Sequence, residues 1–173
     1  MTVFMFDRDY TVDVNPHPDR DSIPLRLVKY LAHETDHRVF ATGNQHLRNE
    51  ALIPGVEDAR QVWEIQNGYG PEDRYEDESY YNMYKPSREN CVRLVRDIHP
   101  DEDTFIVVDD VNLKSLLQEG IEHYYPWNAE DPIRERFDIP NEIKSQDNQP
   151  ENAKDNDIDE FLLNNNFFEY YEE

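Results

Sequence analysis

The chain holds a single cysteine, Cys91, so no internal disulfide can form, and such usage fits a reducing compartment. Glycine is scarce, with five in 173 residues. No run of about 18 apolar residues occurs, which excludes a membrane-spanning helix. Residues 1–20 lack a basic segment followed by an apolar one, so no secretory leader is expected and the reading is a cytoplasmic protein. Basic residues are few, 17 against 39 acidic ones, for a formal net charge of −22. With no basic stripe to release counterions, strong nucleic-acid binding through a basic surface is disfavoured.

The acidic excess has three readings. The carboxylates can solvate a protein in a cytosol of molar salt, haloarchaeal in character, where a Debye length of roughly 3 Å screens their repulsion. They can imitate the phosphates of DNA, or one acidic tail can dominate the count. Carboxylates recur along the whole chain, beside apolar runs as well as in the tail, which favours the halophilic reading.

What is present is enough for one domain with a real core, despite a hydrophobic fraction of only 37%. The run TVFMF at 2–6 suits a buried strand, and prolines 16, 18 and 24 punctuate the loop after it. A helix is expected from Ser22, as N-cap, to His37. A strand follows at 38–42, then a helix over 45–52. Residues 56–66 are ambiguous, a helical turn and then a possible strand over 61–65. The Gly-, Asp-, Glu- and Tyr-rich stretch 67–82 reads as an exposed loop. A helix over 87–98, the strand TFIVV ending in Asp109-Asp110, a helix over 113–119 and a short strand over 122–125 complete an alternation that implies a parallel sheet with helices on both faces. Ligand sites in such sheets lie at the carboxyl ends of the strands.

The domain is expected over 1–140. Residues 141–157 read as an acidic disordered linker, and 158–173 as an apolar-aromatic docking segment. That last segment either packs on its own domain or captures a protein partner through residues 158–171, by a helix-in-groove mode. It loosely resembles a sliding-clamp-binding box, without the leading glutamine or the second aromatic.

His33-Glu34-Thr35-Asp36-His37 matches the HExxH pattern of zinc peptidases, in which two histidines and a third ligand hold zinc and the glutamate is the base. On a helical wheel both histidines fall away from the stripe of Leu27, Val28 and Leu31, on a cationic, solvent-facing side. Asp36 and Arg38 put charge where such peptidases avoid it. The zinc reading is therefore disfavoured.

A different constellation comes from the strand ends: Asp7-Arg8-Asp9-Tyr10-Thr11 after TVFMF, Thr42-Gly43-Asn44 after RVFA, Lys85-Pro86 before the helix, and Asp109-Asp110 after TFIVV. In this order the four segments resemble the haloacid dehalogenase (HAD) superfamily of phosphatases, over roughly residues 2–127. The resemblance implies a Rossmann-type sheet with a minimal cap and a Mg²⁺-dependent phosphomonoester hydrolase acting through a phospho-aspartate. It also implies Asp7 as nucleophile, Asp9 as general acid/base, Thr42 and Lys85 as phosphoryl holders, and Asp7, Asp9, Asp109 and Asp110 around the metal, Asp9 through its backbone carbonyl. The residue types make chemical sense together. A dianionic phosphate repels an incoming carboxylate unless cations intervene, and Mg²⁺ takes hard oxygen ligands. A phosphorylated substrate, small or macromolecular, would be the partner. The alternative is a HAD-fold binding protein working through its C-terminal segment and tyrosine-rich loop. Two departures stand out: Tyr10 replaces the usual glycine of the first motif, and no acid follows four or five residues after Asp110.

Overall fold

A computed structural model describes residues 1–69, 86–140, 143 and 157–171. Lys85, the tyrosines at 75, 80, 81 and 84, and nearly all of the linker lie outside these residues, as does the stretch expected as an exposed loop beyond Tyr69.

Four strands form one all-parallel sheet: β1 (Thr2–Phe6), β2 (Arg38–Ala41), β3 (Thr104–Val108) and β4 (Ile121–Tyr124), in the order β2-β1-β3-β4. Their side chains alternate between the two faces, as a pleat requires. Val3, Met5, Phe40, Phe105, Val107 and Ile121 join one core layer, whereas Phe4, Phe6, Val39, Ala41, Ile106 and Val108 join the other. Because both faces are covered, the strands read as continuous apolar runs rather than alternating ones.

The second layer is closed by α1 (Leu25–His33), α2 (His46–Ala51) and α5 (Pro126–Arg136), through residues such as Leu27, Leu47 and Ile133. The first is closed by α3 (Val56–Asn67), α4 (Arg88–Asp97), a 3₁₀ helix (Lys114–Glu119), α6 (Asp157–Asn164) and α7 (Phe167–Tyr170). The α/β class, the parallel sheet and the helices on both faces are as the sequence implies. Among the described residues no helix is long and apolar enough to cross a membrane.

Several boundaries move. Residues 61–65 are not a strand but the middle of α3. Gly55 opens that helix, the Asp58 carboxylate accepts the Gly55 N–H at 2.7 Å, and Ala59 and Val62 bury one face. Ser22 is not the cap of α1, which begins three residues later and whose Leu25 N–H goes to Asp13 at 3.0 Å. The helix also stops at His33 rather than His37, where the Thr35 hydroxyl turns back to the Leu31 carbonyl at 2.5 Å. Helix α5 was not legible because Pro126 opens it and Pro132 sits inside it.

The C-terminal segment packs on its own domain. Ile158, Leu162, Phe167 and Tyr171 are buried in the first core layer. The Tyr171 hydroxyl and His99 Nε2 are hydrogen bonded at 2.6 Å, and Arg48 bridges Asp58 and Asp159. Ile158, Leu162, Phe167 and Tyr171 thus face inward, while Leu163 and Tyr170 stay exposed.

Candidate active site

Strand register sets the site. Phe6 is level with Ala41 on one side and Val108 on the other, so the next residue of each strand emerges at one height. The ladder continues that far: Asp7 N–H donates to the Val108 carbonyl at 3.1 Å, Thr42 N–H to the Phe6 carbonyl at 3.1 Å, and Asp109 N–H to the Tyr124 carbonyl at 3.2 Å. Chain direction reverses around β1, since one connection leads outward to β2 and the next crosses back to β3. The carboxyl ends of β1 and β3 therefore form the crevice at the topological switch point where doubly wound sheets bind ligands.

Three carboxylates meet there. Asp7, Asp109 and Asp110 each offer an oxygen, and these oxygens lie within 4.8 Å of one another. Among the described residues this is the one group of three or more such side chains placed to hold a metal. Asp7 is 3% exposed and Asp109 0%. Burial pushes both carboxyl groups above the ordinary aspartate range, and repulsion adds to it, from Asp110 on Asp7 and from Asp7 on Asp109.

The counter-charge is one that the sequence did not announce. Arg88, the first residue of α4, places Nη1 2.5 Å from Asp109 Oδ2 and 3.3 Å from Asp7 Oδ2, and so lowers both carboxyl groups against the pull of burial. Ser87 fixes that helix end by accepting the Asn90 N–H at 3.1 Å. Lys85, the residue expected to supply this charge, lies outside the described residues. Thr11 is the second residue missed. Its buried hydroxyl donates to Asp7 Oδ2 at 3.4 Å and accepts the Asp110 N–H at 3.2 Å, tying the two loops together. Its place in the Asp-x-Asp segment was the available signal.

Thr42 is 1% exposed, and among the described residues its Oγ1 has no hydrogen-bond partner. A buried hydroxyl left without a partner is costly, and an incoming oxygen-rich ligand would satisfy it. Beside it, Gly43 is required by contact. A Cβ there would stand 1.8 Å from Asp7 Oδ1, so only glycine lets the backbone close over that carboxylate.

Asp9 stands apart from the three-carboxylate group. Its Oδ1 accepts from Arg8 Nη1 at 2.8 Å and Asn15 Nδ2 at 2.9 Å, and its Oδ2 from Asn44 Nδ2 at 2.9 Å. Partial burial raises its pKa, but the Asn15, Asn44 and Arg8 bonds outweigh this and hold it below the usual range. Arg8 is itself anchored to Glu50 at 2.6 Å.

The first departure has a backbone explanation. Tyr10 adopts φ 59°, the left-handed region where glycine rests without strain, and its ring is half exposed against His17. The second is not repaired by Lys114, whose Nζ donates to the His123 carbonyl at 2.6 Å.

The HExxH pair does not converge. His33 Nε2 lies 2.8 Å from the Ala51 carbonyl, whereas His37 Nδ1 accepts the Thr2 N–H at 3.2 Å and its ring packs on Phe4 and Phe137. Glu57, twenty positions after His37, a spacing that some zinc peptidases use for a third ligand, pairs with Arg60 at 3.4 Å. A cavity of about 860 Å³ opens among Trp63, Gln66, His99 and Tyr171. It lies toward the amino ends of the strands and contains none of these carboxylates.

The carboxylate group suits a hard divalent cation. Its donors are all oxygens, two of them are buried with raised pKa, and a guanidinium already stands among them as a cationic stand-in. No protein-family model matches this chain, and no curated protein or solved structure is similar enough to name as a relative.

Proposed function

We propose that the protein is a Mg²⁺-dependent phosphomonoesterase of HAD type. The observation that carries this reading is the convergence of Asp7, Asp109 and Asp110 at the switch point, beside a Thr42 hydroxyl that has no partner among the described residues. Asp7, Asp109 and Asp110 would hold the cation. When bound, Mg²⁺ supplies neutralisation of the charge between an attacking carboxylate and a phosphoryl group.

The chain's own residues do the rest. An Asp7 carboxylate oxygen attacks phosphorus and forms a phospho-aspartate as the ester P–O bond breaks. The leaving oxygen takes a proton from Asp9. Asp9, now a carboxylate, draws a proton from water, whose oxygen attacks phosphorus and breaks the bond to Asp7, releasing phosphate. Because Asn15, Asn44 and Arg8 favour the ionised form of Asp9, its base role is well supplied. The acid role requires those bonds to loosen when substrate arrives. Thr42 donates to a phosphoryl oxygen. Arg88, which would give up Asp109 to a bound cation, could then turn its guanidinium to the equatorial oxygens, where charge builds in the transition state.

The test is hydrolysis of p-nitrophenyl phosphate with Mg²⁺ in molar KCl. Activity should vanish with EDTA and in Asp7→Asn, and the wild type should trap a beryllium fluoride adduct on Asp7. A wild type as inert as Asp7→Asn across a broad panel of phosphate monoesters ends the proposal.

A further inference from the structure

Next to the carboxylates, on the same carboxyl edge of the sheet, stands an aromatic stack that the phosphoryl chemistry does not use. Asp109 N–H is bonded to the Tyr124 carbonyl, and the very next residue, Tyr125, lays its ring parallel to Trp127, centroids 4.6 Å apart at 8°. His123 links the two features. Its Nε2 is 3.0 Å from the Asp109 carbonyl, and its ring meets Tyr125 edge-on at 4.7 Å. Two cations dress the stack. The Arg20 guanidinium lies 4.5 Å from the Trp127 centroid, and Lys114 Nζ 5.0 Å from that of Tyr125.

Arg20 is unusual for this chain. Acidic residues outnumber basic ones 39 to 17, yet among the described residues Arg20 pairs with no carboxylate. It comes from the loop that follows Asp7 and Asp9, is exposed, and holds its guanidinium carbon over the indole ring. A cation over the ring occupies the space that a planar ring of a ligand would use, and with no carboxylate partner among the described residues it can slide to the ring's edge.

We propose that this stack receives the leaving group and that the leaving group is a nucleoside, so that the substrate class is a nucleoside monophosphate; this rests on the phosphomonoesterase reading. The base would stack on Trp127, backed by Tyr125, with Arg20 moved aside to the ribose or phosphate. The steps from the Asp109 carbonyl through His123 and Tyr125 to Trp127 are single contacts, which puts the indole on the same carboxyl edge of the sheet as Asp109. The net charge of −22 selects against a polynucleotide, whereas a dianionic monoester meets little cumulative repulsion.

The test separates this subsite from the chemistry. Binding of adenosine 5′-monophosphate, ribose 5-phosphate and O-phosphotyrosine is titrated into Asp7→Asn with Mg²⁺, and hydrolysis of the same three by wild type is measured alongside. Base–aromatic stacking predicts that the nucleotide binds about tenfold or more tighter than the sugar phosphate. Trp127→Leu should bring the two together, and Trp127→Phe should keep most of the difference. Equal binding of nucleotide and sugar phosphate overturns the proposal, as does tighter binding of phosphotyrosine or a preference that survives Trp127→Leu. If the preference holds but no ester is hydrolysed, the subsite stands and the phosphatase reading falls. If all three are hydrolysed without preference, the reverse is true.

Discussion

Arg88→Met gives the most direct test of how the carboxylate group is balanced. The substitution keeps much of the side-chain volume and the helix start, but removes the cation 2.5 Å from Asp109 and 3.3 Å from Asp7. Stripping one partner from a buried ion pair costs roughly 3–5 kcal/mol. Arg88 is 30% exposed, so part of its interaction is already screened by water. A loss of about 2–3 kcal/mol is therefore expected, in line with one charge-assisted hydrogen bond. For a chain of this size that corresponds to roughly 4–12 °C in Tm.

The loss should depend on pH. Asp109 has a raised pKa in the folded state, so its unfavourable contribution is absent where the group is protonated and grows as pH rises through that value. Without Arg88 the folded pKa rises further, so the variant should suffer more at pH 8 than at pH 5. A divalent cation should then restore about 2.7 kcal/mol at a hundred times its dissociation constant. Urea melts at constant molar KCl, with EDTA or with MgCl₂, read this out. An equal loss at both pH values, indifferent to Mg²⁺, would show that Arg88 serves only helix packing and would refute the account of the site.

Three further outcomes are expected. Asp9→Asn should lower kcat by roughly 10²–10⁴, the usual worth of a positioned acid–base group, while Mg²⁺ affinity measured by calorimetry changes little. His99 is buried against Tyr171 and the Val95 carbonyl, with Arg38 near, and burial drives its pKa down to about 4. The unfolded chain takes up that proton first, so stability is intact above about pH 6.5 and falls by about 3 kcal/mol as pH drops toward 4; in His99→Gln this acid limb of the stability curve should flatten. Leu162→Ala should cost about 2–5 kcal/mol in denaturant melts, because Leu162 is 3% exposed within the core layer it shares with Phe40 and Val62. A near-zero cost would mean that the segment is not docked in solution.

The strands were legible because burial on both faces removes any alternation from TVFMF and TFIVV, leaving apolar runs bounded by aspartates. With the strands placed, parallel order brings Asp7, Thr42 and Asp109 to one edge, and the sequence carries that much of the site. It does not carry side-chain direction. Arg88 reads as an ordinary helix-start residue, and only the crossing of α4 over the sheet aims it at Asp109. Thr11 likewise becomes a bridge only when the loop after β1 folds beside the loop after β3. The ambiguity over 56–66 has a simpler origin: Val62, Trp63 and Ile65 fit a short strand or a helix alike, and the Gly55–Asp58 cap decides it. At HETDH, helix-forming residues concealed a stop made by one threonine hydroxyl.

The position of α6 and α7 bears on how the molecule is made. A ribosome delivers β1 to β4 long before Ile158, Leu162, Phe167 and Tyr171, yet these four complete the layer over Phe40 and Val62. Until they emerge, a nascent chain carries an open apolar flank over Phe40 and Val62. Closure of the domain thus waits for residues 158–171, and stop codons ahead of residue 158 should yield aggregates rather than a shorter working protein.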